Sequence, residues 1–452
     1  MNLLSKGYSW LVSRILFRLH ETIKGHSTYR MLARLEASQW RPAQEIAQEQ
    51  QQRLQQFMQY ISRHNPYYQT LFAEHHISAD SISTVADLAR LPLLTKAMIK
   101  QHQQQLKSQP ESALTRYNTG GSSGEPLIFF MGKNRISHDV AAKLRATRWW
   151  QVDIGDPEVV LWGSPIELNR QDQLKNLRDR LFRSYLLPAF ELTPRHITHY
   201  LQQLQQIRPQ MLFGYPSVLY QLALAAQQQQ LDLHQLGIKV AFVTSEMLYD
   251  HQRQLIEQVF GCPVANGYGA RDAGFIAHQC PAGSLHISAE DIIVEIIDQQ
   301  GNVLPAGATG EIVITHLQTG AFPFVRYRTG DIGTLSTAPC SCGRGLPVLK
   351  DVSGRTTDFL LTDQGDKLHA LSLIYILRDI PEILKFKIIQ QPSRQVDVRY
   401  IASQPLPDNI QQQIINALSQ RLGAGINITL TAVTDIPPLQ NGKYRYVESK
   451  AT

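Results

Sequence analysis

Apolar residues recur at helical spacing through the first 110 residues, and polar residues, glutamine above all, lie between them. Leu54, Phe57 and Ile61 show this spacing, which is that of one face of a helix. The pattern predicts helices over residues 43–63 and 96–106. It also indicates that the glutamines lie on solvated helix faces rather than in a disordered low-complexity tract.

The pattern changes between about residues 112 and 350, where short apolar runs alternate with helical stretches. The predicted strands cover 127–131, 159–162, 210–214, 239–244 and 263–268, and the predicted helices cover 197–207, 217–229 and 250–260. Such alternation is typical of parallel strands in a layered α/β fold. Residues 285–335 carry further strand patterns with little helix between them, which predicts a small β subdomain.

The last 90 or so residues form a separate pattern. A polar, glycine-containing stretch over 353–366 has the composition of a linker, and strand patterns at 386–389, 396–401 and 427–431 surround a helical pattern at 408–422. We therefore expect an α/β protein with two domains. The larger covers residues 1–355, with N-terminal helices over 1–110, and the smaller is an α+β domain over residues 356–452.

Length and charge exclude some classes of protein. The chain has 452 residues, of which 43% are hydrophobic and 18% charged, with a formal net charge of +6. These values are ordinary for a soluble globular protein. The basic residues are dispersed, so we expect no nucleic-acid partner. The charge is compatible with small anionic substrates but does not by itself imply them.

Residues 1–25 combine apolar and basic side chains. Arg14 and Arg18 interrupt the apolar stretch and no small-residue cleavage site follows, so the segment is not a signal peptide and we expect a cytoplasmic protein. Two interpretations remain open. The segment is either an amphipathic helix packed on the body of the protein or a helix that makes peripheral contact with an anionic membrane surface.

One loop has the composition of a phosphate-binding site. Residues 117–126 read YNTGGSSGEP and precede an apolar strand pattern. Glycines allow close approach of the backbone, and backbone N–H groups and hydroxyls can surround a polyphosphate. The loop lacks the Gly-Lys-Ser/Thr ending of a Walker loop, and a tight polar hairpin turn is the alternative. The residues concerned are Thr119, Gly120, Gly121, Ser122, Ser123 and Gly124.

Two further motifs place carboxylates after strands. Residues 266–272 read NGYGARD, and the Asp272 carboxylate after an apolar strand is placed to hold Mg²⁺ on ATP phosphates. Residues 326–331 read RYRTGD, where Asp331 can accept hydrogen bonds from ribose hydroxyls. Each motif alone is equally consistent with a surface turn.

A fourth motif near the end of the chain carries a lysine. Residues 437–445 read PPLQNGKYR, and Lys443 on a loop made flexible by glycine can reach a site from another domain. Its point charge suits negative charge that develops on a phosphate or carboxylate. A solvated tail lysine is the alternative.

The order of these four motifs resembles the adenylate-forming superfamily, which contains acyl-CoA synthetases, peptide-synthetase adenylation domains and luciferases. The resemblance covers residues 40–447 and is greatest to the phenylacetate-CoA ligase branch, within it to proteins of the capsular-polysaccharide (CapK) type. The segments 40–72, with NPYY at 65–68, and 91–96, LPLLTK, also resemble that branch.

The resemblance implies roles for individual residues. The loop Thr119–Gly124 would clamp the β- and γ-phosphates, Tyr268 with Gly269 would lie against adenine, and Asp331 would hold the ribose. The remaining assignments are Ser245 and Glu246 along the adenine, Tyr215, Pro216 and Ser217 near the acyl pocket, Arg355 at the nucleotide, Asp358 as the hinge of a mobile C-terminal domain, and Lys443 as the catalytic lysine.

The chain departs from the family pattern at two positions. Arg271 stands where many relatives have Ser or Thr, and Asp272 stands where they usually have a Mg²⁺-binding Glu. These two residues are nevertheless predicted to act in catalysis beside Lys443. Trp162, Tyr215 and Tyr268 either line an aromatic substrate pocket or belong to the core.

The implied activity is ATP-dependent formation of an acyl-adenylate with release of pyrophosphate, with AMP as the later product. The favoured acceptor is the CoA thiol, in surface-polysaccharide biosynthesis. The alternatives are an amine of a sugar or amino acid, and a nucleotide-binding assembly protein with reduced catalysis. The sequence does not identify the acid.

The cysteines have metal-ligand spacing. Cys280 and His286 are six residues apart, and Cys340 and Cys342 lie on one glycine-bearing turn. Three thiols and one imidazole are the ligand set of a structural zinc site, and some relatives of this branch also contain zinc. Unpaired reduced thiols are the alternative. We expect Cys262 to be a buried core thiol and His278 to be a surface residue rather than an alternative ligand.

Overall fold

The computed structural model describes residues 3–119, 127–162, 177–189, 193–355, 359–365, 367–369, 371–378, 380–437 and 445–451. The chain divides into two compact units, Met1–Ser353 and Gly354–Thr452. No helix in the described part of the chain combines the length and the apolar composition that a bilayer crossing requires.

Helices form the first part of the larger unit, as the apolar spacing predicts. They are α1 Leu3–Leu11, a π turn Val12–Leu16, α2 Phe17–Lys24, α3 Thr28–Ser38, α4 Ala43–His64, α5 Pro66–Glu74 and α6 Lys96–Gln101. Helix α5 begins at a proline after Asn65, whose side chain accepts a hydrogen bond from the Tyr68 amide at 3.1 Å. Helix α6 ends five residues before its predicted end, and the chain then turns so that Leu106 is buried.

Strands of the larger unit form a two-stranded ribbon and an eleven-stranded sheet. The ribbon pairs β1 Thr115–Asn118 with β2 Ile128–Met131. The sheet contains β3 Glu158–Trp162, β4 Ser184–Pro188, β5 Met211–Gly214, β6 Val240–Thr244, β7 Val264–Ala270, β8 Gly274–Gln279, β9 Leu285–Ile287, β10 Ile292–Ile297, β11 Thr309–His316, β12 Tyr327–Leu335 and β13 Val348–Arg355. Its spatial order is β10-β11-β12-β13-β9-β8-β7-β6-β5-β3-β4.

The sheet has a parallel and an antiparallel part. Strands β4, β3, β5, β6 and β7 pair in parallel, whereas β8 pairs with β7 in antiparallel orientation. The strands of residues 285–335 belong to the antiparallel part of this same sheet.

Helices cover both faces of the parallel strands. They are α7 Lys133–Arg148, α8 Pro194–Ile207, α9 Pro216–Gln228 and α10 Asp250–Phe260. Leu212 and Val243 pack among the buried side chains of α8, α9 and α10, whereas Phe213 and Phe242 pack on the opposite face with Ala146 of α7. Successive residues of each strand therefore point to opposite faces of the sheet, and both faces are apolar. This explains why the sequence of each strand is a continuous apolar run.

The smaller unit has its own sheet. Strand β14 Phe359–Leu361 pairs with β15 Lys367–His369, and β16 Ile383–Gln390, β17 Val396–Ala402, β18 Ile428–Ala432 and β19 Val447–Ser449 form a four-stranded sheet ordered β18-β17-β16-β19. Helices α11 Leu371–Arg378 and α12 Asp408–Leu422 complete it. The stretch 353–366, predicted to be a linker, contains the end of β13 and all of β14. Its apolar run FLL pairs as a strand despite the polar flanks.

Candidate active site

Three segments that follow parallel strands lie at one edge of the sheet. The chain leaves β5 at residues 215–217, β6 at 245–246 and β7 at 271–272. Parallel strands end on the same side of a sheet, where ligands of α/β proteins bind. The Ser217 amide donates a hydrogen bond to a carboxylate oxygen of Glu246 at 3.2 Å, so the predicted acyl and adenine segments are in contact.

Strand packing at this edge requires small residues. A Cβ atom on Gly269 would lie 2.3 Å from the Gly274 carbonyl oxygen, and one on Gly214 would lie 2.5 Å from the Leu161 carbonyl oxygen. Both positions therefore exclude larger residues. Ser245, directly after β6, has a φ of 72°, a left-handed conformation that costs a non-glycine residue energy and is often found at functional sites.

Two tyrosine–aspartate hydrogen bonds join the end of β7 to β12. The Tyr268 hydroxyl donates to an Asp331 carboxylate oxygen at 2.9 Å, and the Tyr327 hydroxyl donates to Asp272. Each segment thus contributes one tyrosine and one aspartate, four residues apart. The predicted adenine and ribose residues, Tyr268 and Asp331, are in direct contact.

Asp272 is held from three sides. Its side chain is 5% exposed, and its carboxylate accepts hydrogen bonds from the Tyr327 hydroxyl and from the Ala273 amide, the latter at 3.1 Å. Arg135 of α7 donates to the Asp272 main-chain carbonyl at 3.3 Å. A carboxylate has about four acceptor positions, and the described residues use two of them. Neither Tyr327 nor Arg135 was identified from the sequence; Tyr327 lies within the RYRTGD motif, whereas nothing in the local sequence marks Arg135.

Arg271 lies beside the base of the predicted phosphate loop. Its exposed guanidinium donates to the main-chain carbonyl of Asn118, the last residue of β1, at 3.2 Å. Two hydrogen bonds join Thr119 to Leu127 at the base of the loop. The Thr119 amide donates to the Leu127 carbonyl, and the Leu127 amide donates to the Thr119 hydroxyl, both at 2.9 Å. Arg271, Asp272 and the loop base are therefore neighbours.

Several predicted site residues are not placed by the structure. Gly120, Gly121, Ser122, Ser123, Gly124, Asp358 and Lys443 lie outside the described residues. Arg355 is the last residue of β13 and belongs to the smaller unit.

The predicted acyl-pocket aromatic residues pack on each other. Tyr215 is 3% exposed, and its ring stacks on that of Trp162 with centroids 4.5 Å apart. Phe213 stacks on Trp162 from 6.0 Å. Pro216 and Ser217 begin α9 directly after Tyr215. Tyr215 is thus part of the core of this edge, and Trp162, which is half-buried, is the more accessible of the two rings.

The four predicted zinc ligands lie together. The three cysteine sulfurs and a nitrogen of His286 are all within 4.8 Å of one another, with Cys280 Sγ 3.7 Å from Cys340 Sγ and Cys342 Sγ 3.2 Å from His286 Nε2. Tetrahedral zinc with Zn–S bonds of about 2.3 Å separates two sulfurs by about 3.8 Å. The donor set therefore fits zinc.

The environment of His286 suits a metal ligand. Its Nδ1 donates to the Leu346 carbonyl at 3.2 Å, which directs Nε2 to the thiols. Burial lowers the pKa of His286 to about 4, so the ring is neutral near pH 7. Cys262 is buried and outside this cluster, and burial raises its pKa to about 12.

The prediction that His278 is a surface residue is wrong. His278 is 1% exposed on β8, a central strand, with its ring between those of Phe242 and Phe275. Neither of its ring nitrogens has a hydrogen-bond partner among the described residues, and burial lowers its pKa to about 3. His278 lies in a run of three buried residues on β8, a strand that was not predicted from the sequence.

A second buried group, His138, Asp139 and His316, is a structural network. Its ligand atoms also lie within 4.8 Å of one another, but Arg135 Nε already donates to both carboxylate oxygens of Asp139 at 2.9 and 3.0 Å. Burial lowers the pKa of His316 to about 3. An arginine in this position supplies the positive charge that a cation would bring.

Comparisons with known proteins agree with this architecture. A family model described as AMP-binding enzyme matches residues 182–320, and one described as CapK C-terminal domain matches residues 360–450. Protein CapK from Staphylococcus aureus is 24% identical over 415 residues, covering 91% of each chain. Phenylacetate-coenzyme A ligase from Thermus thermophilus is 23% identical over 442 residues, covering 90% of this chain and 97% of the relative.

Solved structures show the same fold. The crystal structure of 2-hydroxyisobutyryl-CoA ligase in the postadenylation state, in complex with R3-HIB-AMP, superposes with a TM-score of 0.76 at 20% identity, covering 91% of both chains. The two family models match both units, and the relatives extend over nearly the whole chain. Over nearly its whole length the chain is therefore similar to phenylacetate-CoA ligases and to Protein CapK, and it carries matches to the AMP-binding enzyme and CapK C-terminal domain families.

Proposed function

We propose that this chain activates a carboxylic acid as its acyl-adenylate, releases pyrophosphate and then transfers the acyl group to the thiol of CoA. The observation that carries the proposal is the assembly at the carboxyl edge of the sheet. There the Tyr268–Asp331 pair, the Asp272–Tyr327 pair and Arg271 meet the base of a Gly- and Ser-rich loop. We also propose a role in surface-polysaccharide biosynthesis, on the basis of the sequence resemblance to proteins of the capsular-polysaccharide type.

The first half-reaction is an in-line displacement. A carboxylate oxygen of the acid attacks the α-phosphorus of Mg·ATP, a new oxygen–phosphorus bond forms, and the bond to the pyrophosphate oxygen breaks. In the second half-reaction the CoA sulfur attacks the acyl carbon and AMP leaves. Such phosphoryl chemistry depends mainly on positioning and on neutralising charge.

In this proposal, each of five side chains has one role at the nucleotide. Asp331 accepts hydrogen bonds from the ribose hydroxyls, and Tyr268, held by its hydroxyl, presents its ring to the adenine. Asp272 faces the metal that arrives with ATP, and Arg271 faces the phosphates beside the loop that begins at Thr119. Lys443 supplies positive charge to the α-phosphate and the carboxylate.

ATP–pyrophosphate exchange over a panel of carboxylic acids tests the proposal. At least one acid should support exchange, and Lys443→Ala should reduce that exchange at least 100-fold with little change in ATP affinity. Lys450→Ala is the matched control and should keep full exchange. Unaltered exchange in Lys443→Ala would show that this lysine is not catalytic, and a lack of exchange with every acid would favour a nucleotide-binding assembly protein.

The acceptor is tested separately. With the active acid, CoA should increase AMP release and yield a thioester, whereas amino sugars and amino acids should not. An amide product without any thioester would assign an amine acceptor.

We further propose that Cys280, His286, Cys340 and Cys342 hold one structural zinc ion. The support is the short separation of their donor atoms and the neutral imidazole of His286. When bound, zinc would cross-link three chain segments and take no part in adenylation. Metal analysis of the purified protein should give about one zinc per chain, and less than a tenth of an equivalent would exclude the site.

A further inference from the structure

The first helical segment displays an apolar stripe to solvent. Its four members are Trp10, Ile15, Leu19 and Ile23, which are 59%, 46%, 57% and 76% exposed. Ile15, Leu19 and Ile23 are four residues apart and so share one helix face. Trp10 is five residues before Ile15, and the π turn lies between them. Because hydrogen bonds in a π turn span five residues, the turn brings Trp10 toward the helix face of Ile15.

A second stripe on the opposite face anchors the segment. Val12, Phe17 and Glu21 are buried. Each lies two positions after a member of the exposed stripe, which places it about 200° around the helix from that member. Phe17 packs on Phe182 with ring centroids 5.6 Å apart. The Ser9 hydroxyl donates to the Gly155 carbonyl at 2.9 Å. The exposed stripe therefore belongs to a helix that is fixed to the body of the protein.

The charges beside the exposed stripe have one sign. Arg14, Arg18 and Lys24 are all exposed. The one acidic residue of the segment, Glu21, is buried and accepts a hydrogen bond from the Thr28 hydroxyl. The outward surface of this helix is thus apolar and basic with no exposed acid, a composition that complements anionic lipid headgroups.

A neighbouring helical turn extends the apolar surface. Residues 177–181 are helical, and Leu177 and Leu181 are 59% and 50% exposed. The Tyr8 hydroxyl donates to the Leu181 carbonyl at 2.9 Å, which fixes this turn against α1. Val303, at an isolated β-bridge, and Leu384, on β16, are also exposed large apolar side chains, but neither belongs to a comparable stripe among the described residues.

We infer that this face, made of Trp10, Ile15, Leu19 and Ile23 with Arg14, Arg18 and Lys24, binds the surface of an anionic membrane. The apolar side chains enter the boundary between headgroups and acyl chains, and the basic side chains lie among the lipid phosphates. The helix lies in the plane of the interface and does not cross it. This inference goes beyond the proposed ligase activity and does not depend on it.

Sedimentation with lipid vesicles tests the inference on the full chain. Vesicles of phosphatidylcholine with 30% phosphatidylglycerol should bind the protein, and vesicles of phosphatidylcholine alone should bind it at least tenfold more weakly. Raising the salt from about 0.05 to 0.5 M should weaken binding, because it shortens the range of surface electrostatics. Equal binding to both vesicle types, or to neither, would overturn the inference.

Paired variants separate the apolar and the basic contributions. Leu19→Ser/Ile23→Ser should reduce vesicle binding at least tenfold, whereas the matched control Val303→Ser/Leu384→Ser should not. Each basic residue contributes about fivefold near an anionic surface, so Arg14→Gln/Lys24→Gln should lose about 25-fold. Arg63→Gln/Arg421→Gln changes the net charge equally at exposed positions and should bind normally.

The oligomeric state identifies the competing occupant. If a second copy of the chain covers the stripe, the protein should sediment as a dimer without lipid and Leu19→Ser/Ile23→Ser should make it monomeric. That outcome would overturn the membrane assignment. Thermal unfolding midpoints of all variants should stay within a few degrees of the parent, which ensures that lost binding does not reflect lost folding.

Discussion

At the residue scale, Tyr327 and Asp272 are coupled inside the site. Tyr327 is fully buried, and its hydroxyl is one of two donors to the Asp272 carboxylate. A hydrogen bond to a charged group contributes about 1.5–3 kcal/mol. This bond fixes the direction of the Asp272 side chain.

Tyr327→Phe should therefore lower the rate of ATP–pyrophosphate exchange about tenfold or more and raise the Mg²⁺ concentration needed for half-maximal rate. Steady-state exchange measured against Mg²⁺ at saturating ATP checks both effects. Tyr60→Phe on α4, outside the site, is the control. A variant with normal kinetics but lower thermal stability would show that Tyr327 only packs.

His278 and His316 make stability depend on pH. Burial lowers the pKa of each to about 3, below the usual value near 6.5. Between pH 6.5 and 3 the unfolded chain binds more protons than the folded chain, so stability falls as the pH falls through this range. Each histidine contributes a slope of about 1.4 kcal/mol per pH unit.

His278→Phe should remove one such slope while keeping the ring between Phe242 and Phe275. Urea unfolding measured at several values from pH 5 to 7 should show a free energy of unfolding that falls less steeply with decreasing pH than in the parent. His75→Phe, at an exposed position, should leave the slope unchanged. An unchanged slope in His278→Phe would contradict the assignment of a buried neutral imidazole.

Residue identities were predictable where a motif supplied the chemistry. Asp331 and the cysteine cluster were identified from short sequence patterns and Tyr268 from the family resemblance, and the structure brings Tyr268 to Asp331 and the cysteines to His286. Partners that come from distant segments were not predictable: Arg135 reaches Asp272 across 137 positions. Such contacts depend on the register between α7 and the sheet, which no local pattern encodes.

At the element scale, the predictions for helices α4, α8, α9, α10 and α12 and for the parallel strands β3, β5, β6 and β7 agree with the structure within a few residues, because each carries its own apolar period. No prediction covered helices α7 and α11 or strands β1, β4, β8, β9, β13, β14, β15 and β19. β9 has three residues, and such short strands are defined by their partners rather than by a pattern of their own. The N-terminal helices are likewise fixed by distant ion pairs, such as those of Arg34 and Arg53 with Asp291.

The cysteine cluster joins three segments: the end of β8 through Cys280, β9 through His286, and the loop at 340–342. Removal of zinc by a chelator, or Cys342→Ser, should lower the thermal unfolding midpoint by about 5 °C or more, since a few kcal/mol shift the midpoint by several degrees. Calorimetry with parallel metal analysis checks this. Cys262→Ser alters a buried thiol outside the cluster and should retain zinc. A chelated protein with an unchanged midpoint would contradict a structural role.

At the scale of the whole molecule, the larger unit contains Tyr268, Asp272 and Asp331, which are proposed to bind the nucleotide, and the smaller unit contains Arg355 and Lys443. We propose that the smaller unit turns about Asp358 between the two half-reactions, as hinges at a few residues allow.

Asp358→Pro restricts the backbone at that position, whereas Asp358→Ala leaves it free. The proline variant should keep ATP–pyrophosphate exchange within about threefold and lose at least tenfold in thioester formation; the alanine variant should keep both. Single-turnover measurement of each half-reaction distinguishes these outcomes, and equal loss of both in the proline variant would indicate misfolding or a different hinge.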